Sequence, residues 1–329
     1  MNNFFETDDF SVLSMTEAIN TLPVVPSKIG AMGLFQEEGI VTTTVGIEQK
    51  DNVLTLIPTA ARGSMPEYKT DTKRTVRAIP VPHLPKLDTI KPETVQNLRA
   101  FGEENVLEAV ASVVNSRLAA LKADHELTWE YHRIGALQGL IKDADASSTV
   151  VDLFTEFGVS RTTVNWATAT PGALRGACVS VRRAIESALS LQPYQRIHVF
   201  CSEGYWDALI ASAEVKDAYE LWMQNEFART QNNQAFPFAG LYFEELRGAV
   251  GGTPFVPTNE AFAFPVGVPG LYQCKFAPAP FNETVNTIGK PYYAKQEPMR
   301  FNMGTEIYTC SNPLFLVTKP KVLVKMTKS

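Results

Sequence analysis

The sequence predicts an α+β protein organised around one long helix. Three observations carry that expectation. Residues 103–142 hold no proline and repeat apolar residues at helical spacing. Residues 38–91 are β-branched, basic and closed by prolines. From about residue 160, short apolar strands alternate with amphipathic helices, and a β-rich tail returns to an earlier sheet.

The totals set the frame. A chain of 329 residues has room for two domains and a sizeable core. With 45% hydrophobic and 20% charged residues, the balance is that of an ordinary globular protein. A net charge of −5 gives no bulk reason to expect a nucleic-acid binder. The start, MNNFFETDDF, lacks the basic-then-apolar pattern of a signal peptide, and no apolar run approaches the ~18 residues of a membrane span. Cys178, Cys201, Cys274 and Cys310 stand far apart with no CxxC, which suits buried thiols in a reducing cytoplasm.

In chain order, residues 1–30 read as an arm. Ser11 is placed to cap a short helix through about Asn20, with Val12, Met15 and Ile19 on one face. Pro23 and Pro26 then force an extended path. Glu6, Asp8, Asp9 and Glu17 make the arm acidic, either as a frayed terminus or as an arm lying on another surface. Residues 39–46, 53–57 and 74–79 read as strands, with a turn at Lys50-Asp51-Asn52. The loop 60–73 is long and nearly without hydrophobic pattern. Arg62, Lys69, Lys73, Arg74, Arg77, Lys86 and Lys91 face only Glu67, Asp71 and Asp88. Such charge is either a solvated face or a protruding hairpin that docks on an acidic surface. Pro80, Pro82 and Pro85 close the hairpin, and Pro92 opens a short helix to about Phe101.

The long helix follows. At 1.5 Å per residue it would reach about 60 Å. Leu107, Val110, Val114, Leu118 and Leu121 form one apolar stripe; Leu127, Tyr131, Ile134, Leu137 and Ile141 form another. The six-residue step between them turns about 600°, so the second stripe is expected on a different face, against a different body. Residues 149–158 read as a strand or hairpin arm. An amphipathic helix is expected over 171–191, with Leu174, Cys178, Val181, Ile185 and Leu189 inward. A buried strand at 196–201, a Ser202-capped helix to Ala211 and a helical stretch from Glu214 to about Arg229 come next. Strands follow at 236–245, 261–266, 271–276, 307–310, 314–317 and 321–326, and 248–254 reads as a loop.

Candidate chemistry is thin. His125 and His132 lie seven residues apart on one helix face, without the third ligand a zinc site needs. Cys201 ends a strand after His198, yet no base or orienting carboxylate is marked beside it, and a small buried residue is the simpler reading. Gly248, Gly251 and Gly252 lack the Lys-Ser/Thr ending of a P-loop. Trp129, Trp166, Trp206 and Trp222 read as core or interface anchors. The features above background are therefore architectural. Projecting elements bury little in a monomer, and they make sense when another copy supplies the missing contacts.

Several longer stretches resemble one family. Leu127-Thr-Trp-Glu-Tyr-His-Arg-Ile-Gly-Ala-Leu-Gln-Gly139, His198-Val-Phe-Cys-Ser-Glu-Gly-Tyr-Trp-Asp207, Ala261-Phe-Ala-Phe-Pro-Val-Gly-Val-Pro-Gly270 and Glu297-Pro-Met-Arg-Phe-Asn-Met-Gly304 are similar to the lambda-type major capsid proteins of tailed phages, the phage capsid protein E family. The resemblance implies an α+β, HK-ninety-seven-like capsid fold. Laid on this sequence, it gives an N-terminal arm at 1–37 and an extended E-loop hairpin at 38–91. It gives a P-domain at 92–158 and 283–312 with the spine helix at 103–142, and an A-domain at 159–282 and 313–329.

The same resemblance implies self-assembly into hexamers and pentamers of an icosahedral head that encloses double-stranded DNA, built in the host cytoplasm and ending in the virion. The implied partners are many copies of the chain itself, a portal, a separate scaffolding protein (no scaffolding prefix is visible) and often a decoration protein. Packaged DNA would face the inner wall without sequence-specific recognition, and no membrane is involved. No catalytic residue, cofactor or metal transfers. Some related capsids crosslink a lysine to an asparagine; Lys69 and Lys73 have the position, but no such bond is expected here. The inter-subunit residues expected are Arg62, Tyr68, Lys69, Lys73, Arg74 and Arg77 on the hairpin, lying near Glu103, Glu104 and Glu108 of a neighbour. The alternatives are a nanocompartment shell with protein cargo, and a cytosolic α/β enzyme using Cys201 or the histidine pair.

Overall fold

The computed structural model describes residues 12–23, 27–50, 74–96, 106–168, 170–224, 235–250 and 252–329. The arm contributes helix α1 (Val12–Thr21), which buries Met15, Thr16 and Ile19, and the single turn α2 (Lys28–Ala31), which buries Ile29. Strand β1 (Gln36–Gly39) follows, and then β2 (Thr44–Lys50) pairs antiparallel with β3 (Arg74–Pro80). The expected strand over 39–46 is thus two strands, separated at residues 40–43. The expected turn at Lys50-Asp51-Asn52 lies, beyond Lys50, outside the described residues. So do the strand at 53–57 and the loop 60–73.

Strand β4 (Leu84–Ile90) was not apparent in the sequence, because its prolines suggested only a closure. It pairs with a late strand, β16, on one edge of a three-stranded sheet, where proline is tolerated. The short helix α3 (Pro92–Gln96) starts at Pro92 as expected.

The long helix α4 spans Val106–Gln138, 33 residues and about 50 Å. It stops four residues before the expected Lys142. Gly139 takes a left-handed backbone, φ 75°, and a Cβ there would meet the Phe154 ring at 2.2 Å. The chain then turns into β5 (Leu140–Lys142), which pairs with β6 (Thr149–Asp152). The expected strand over 149–158 ends early, because the Asp152 carboxylate accepts from the Phe154 and Thr155 N–H groups and starts helix α5 (Leu153–Phe157).

Strand β7 (Thr162–Trp166), helix α6 (Ala173–Leu189), strand β8 (Arg196–Cys201), and helices α7 (Glu203–Ala211) and α8 (Lys216–Gln224) open the second body. All five inward residues expected for α6 are buried. Residues 236–245 form a hairpin instead of one strand. β9 (Phe236–Phe238) and β10 (Leu241–Glu245) flank a two-residue turn with positive φ at Ala239 and Gly240. The expected loop at 248–254 carries a small ladder of β11 (Ala249–Val250) and β12 (Thr253–Pro254).

Strands β13 (Glu260–Val266), β14 (Tyr272–Phe276), β15 (Tyr293–Pro298), β16 (Thr305–Ser311), β17 (Pro313–Val317) and β18 (Val324–Lys328) complete the chain. Three sheets matter here. A six-stranded mixed sheet in the order β7-β18-β13-β8-β10-β9 carries α6 and α7. A β15-β16-β4 sheet and a β1-β14-β17 sheet lie along α4 and α1. One hydrophobic core runs through all of them, from Met15 to Met326.

Candidate functional site

Helix α4 joins these bodies, and its buried face departs from the expected two-stripe pattern. The inward line is continuous: Val114, Leu118, Leu121, His125, Trp129, His132 and Ala136, at steps of three and four. The apparent jump arises because polar residues occupy the line after Leu121. Leu127, assigned to the second stripe, is 60% exposed, and Tyr131 is only partly buried beside Phe255. Ile134, Leu137 and Ile141 of that stripe are buried, so the buried face does not jump but widens towards the end of the helix while keeping the first line.

The polar residues on this seam are tied to the arm and the sheets. Lys122 donates to the Ile19 and Leu22 carbonyls at 3.1 and 2.6 Å, just past the C-terminal turn of α1. Cations are favoured at that helix end. Burial lowers the Lys122 pKa, and its ammonium also sits 5.0 Å from the Tyr292 ring centroid. The Glu130 carboxylate accepts from the Ile29 and Gly30 N–H groups at 2.6 and 3.2 Å, fixing the α2 turn. Tyr292 donates to Glu126 at 2.5 Å; burial first, then that carboxylate, pushes the phenol up. Arg133 lies 3.6 Å from both Glu130 and Glu37, its guanidinium over Trp129 and Phe315. Trp129 stacks on Tyr292 at 4.6 Å, and its indole N–H donates to the Ser311 hydroxyl at 3.1 Å.

The histidines belong to the same seam. His125 Nε2 lies 3.1 Å from Thr309 Oγ1. Burial pushes both His125 and His132 down to about 4, so both are neutral near pH 7. They are packing residues, and among the described residues no group of three or more His, Cys, Asp or Glu is placed to hold a metal ion. Cys201 is fully buried, and burial raises its thiol well above the usual range, which opposes thiolate chemistry. His198 pairs with Glu244 at 2.9 Å, and Lys28 of α2 reaches the same carboxylate at 2.6 Å.

Of the expected inter-subunit residues, Arg62, Tyr68, Lys69, Lys73, Glu103 and Glu104 lie outside the described residues. Arg74 opens β3 and Glu108 sits in the first turn of α4; for both, only the backbone is described. Arg77 is placed in full. Its guanidinium donates to the Glu156 carbonyl at 2.5 Å and lies 3.5 Å from that of Thr155, at the C-terminal end of α5. This contact, within one chain, holds the hairpin base beside Phe157. Two further pairs tie the basic segment to α4: Lys86 with Asp124, and Arg117 with Asp88 at 3.5 Å. Sequence reasoning missed the Lys122, Glu126, Glu130 and Arg133 set. The available signal was polar residues standing on or beside the line that Leu118 and Leu121 begin.

Comparison with known proteins agrees along almost the whole chain. The model of the family "Phage major capsid protein E" matches residues 11–328. A "Major capsid protein" of Pseudomonas phage KPP10 is 27% identical over 346 residues, covering 98% of this chain and 97% of that protein. One of Salmonella phage Felix O1 is 22% identical over 357 residues, covering 97% and 96%. In three dimensions, the crystal structure of a phage-related protein from Bordetella bronchiseptica RB50 aligns with TM-score 0.51 at 9% identity, covering 94% of this chain and 95% of that one.

Proposed function

The chain belongs to the phage major capsid protein E family, and from that membership we propose how it works as the shell subunit of a tailed-phage head. Many copies close an icosahedral shell around packaged double-stranded DNA, arranged as hexamers and pentamers. The match across residues 11–328 carries this reading. A scaffolding protein, a portal and a decoration protein complete the assembly, and the DNA meets the inner wall without sequence-specific contacts.

The division of labour within the chain follows the sheets. The β2–β3 hairpin is the E-loop. The β15-β16-β4 sheet with α4 is the P-domain, and the six-stranded sheet with α6 and α7 is the A-domain. Pairing of β4 with β16 supports ending the hairpin at Pro80. Arg77 anchors the hairpin base on its own subunit, while Arg62, Tyr68, Lys69, Lys73 and Arg74 reach a neighbour near Glu103, Glu104 and Glu108. Support for this split comes from the Arg77–Glu156 contact and the charge of the segment.

Electron microscopy of the purified chain tests the reading: shells or capsomers are expected. A species that stays monomeric under all assembly conditions would sink it. Arg74→Glu tests the hairpin contact without touching the Arg77 anchor. Shell yield is expected to fall, and to recover in part with Glu108→Lys; unchanged yield removes the charge pairing.

A further inference from the structure

Helix α6 lies with its apolar line on β7, β13 and β18, and its opposite side is open. Arg175, Gly176, Ser180, Arg182, Arg183 and Ser187 are all exposed. A Cβ added at Gly176 would meet nothing within 4 Å. Arg182 follows Arg175 by close to two full turns, so the two share one line about 10 Å apart. Arg183 is turned about 100° from Arg182, away from the sheet.

These arginines differ from exposed cations elsewhere in the chain. Lys28, Lys86, Arg117, Arg247 and Lys295 each pair with a carboxylate. Arg175 and Arg183 form no ion pair among the described residues. Arg182 has Glu186 at 3.9 Å, and that same carboxylate oxygen accepts from the Tyr194 hydroxyl at 2.7 Å. The other nearby carboxylate, Glu214, accepts from the Arg175 backbone N–H at 3.3 Å. The turn Pro320–Val322, packed on the same helix, adds the exposed Lys321. A chain of net charge −5 thus gathers a local positive excess on one helix.

Guanidinium forks fit phosphate oxygens, two hydrogen bonds at a time. Duplex DNA carries one negative charge per ~1.7 Å of its length, so a row of arginines meets phosphates in any register. Such contacts position a duplex and read no sequence. The small residues between the arginines leave room for a stiff rod to come close. We propose that packaged double-stranded DNA rests on the open side of α6, through Arg175, Arg182 and Arg183, and that this side of the six-stranded sheet faces the shell interior. The inference rests on the shell reading above and names the wall which that reading leaves unspecified. Each chain holds the duplex weakly, and many copies act on it together.

The test uses the full-length chain. A short fluorescent duplex of mixed sequence is titrated with the unassembled chain across about 50–200 mM salt. Three neutralised phosphates contribute about a fortyfold loss of affinity over that range. The triple variant Arg175→Gln, Arg182→Gln, Arg183→Gln should bind less tightly. It should also lose about 2.7 from the slope of log affinity against log salt. Circular dichroism and melting should stay as in the wild type, because the side chains are exposed and glutamine is a good helix former. Charges elsewhere are the same in both chains and cancel. A wild type that binds no duplex, or a variant with an unchanged slope, overturns the proposal. Polyglutamate of equal charge that competes as well as the duplex also overturns it, in favour of an acidic protein.

A second readout locates the face. Ser187→Cys stands on the same side, and the four native cysteines are buried. A maleimide on a bulky polymer should label it in the unassembled chain but not in closed shells, whereas a small maleimide should label both. Closed shells labelled by the polymer place α6 outside; shells that exclude both reagents bury it between copies. Either result overturns the proposal and leaves the shell reading intact. A wild-type chain that forms no shells overturns both, and that control is read first.

Discussion

The middle of α4 and the tip after β15 break opposite rules. Around Lys122–Arg133, charged groups are buried in a helix that crosses the core. At Met299–Met303, apolar groups stand in solvent. Lys122, Glu126, Glu130 and Arg133 each find a partner in the same chain. Phe301 stands 92% exposed. The seam's unusual residues therefore specify the fold, by fixing where α1 and α2 lie on the helix. Those of the tip, left in solvent, contribute little to it. The comparison can be broken from either side, and the seam gives the larger effects.

Trp129→Ala should have the largest. The indole is stacked on Tyr292, edges Phe315 and donates to Ser311, so its removal leaves a cavity and takes from the Ser311 hydroxyl its donor, leaving only its own bond to the Pro291 carbonyl. A loss of about 3–5 kcal/mol is expected in urea unfolding of the unassembled chain. Phe301→Asn, in the same measurement, should stay within about 0.5 kcal/mol. Equal losses would remove the distinction between the two regions.

Why was the seam hard to read? Helix α6 was legible because its inward line is apolar throughout: Leu174, Cys178, Val181, Ile185 and Leu189. In α4 the inward line carries His125 and His132, flanked by Lys122, Glu126, Glu130 and Arg133. A search for apolar periodicity shifts onto Leu127 and Tyr131, and so reads as a jump what is a widening of the buried face to include Ile134 and Leu137. The partners lie 100 or more residues away for Lys122, Glu130 and Trp129, a distance no local pattern spans. Strand β4 was hidden for a related reason, since its pairing with β16 is set from 220 residues further along. Most other strands of the second body were legible, because short β-branched and aromatic runs between turn residues need no distant information. The tip was visible as a stretch of family resemblance, but exposure and a left-handed backbone are properties of the fold.

Acid should act on the seam next. Burial holds His125 and His132 near about 4, against 6.5 for an unperturbed imidazole. Between these values the unfolded chain binds protons that the folded chain does not. Stability therefore falls as pH drops from about 6.5 towards about 4, and is flat above that window. Each histidine should account for about 1–2 kcal/mol by pH 5. Urea midpoints at pH 7.5, 6.0 and 5.0 measure the slope. A double variant, His125→Asn with His132→Gln, should flatten it, and a wild-type midpoint that does not move would contradict the burial of these rings.

The smallest effect, at Leu127, is also part of the most direct test of which face of α4 points inward. Leu121 and Leu127 are the same residue on the same helix, and the sequence assigns both to apolar stripes. Leu121 is 4% exposed and Leu127 is 60% exposed. Truncating Leu121 to alanine removes buried methyl groups and leaves a cavity, at about 2–5 kcal/mol. The same change at Leu127 removes surface already in water, and alanine is the better helix former, so the net change should be within about 0.5 kcal/mol. Both are read from urea unfolding of the unassembled chain, where no neighbour covers either site. A loss at Leu127 comparable to that at Leu121 would restore the two-face helix and would require the polar line through His125 to face solvent instead.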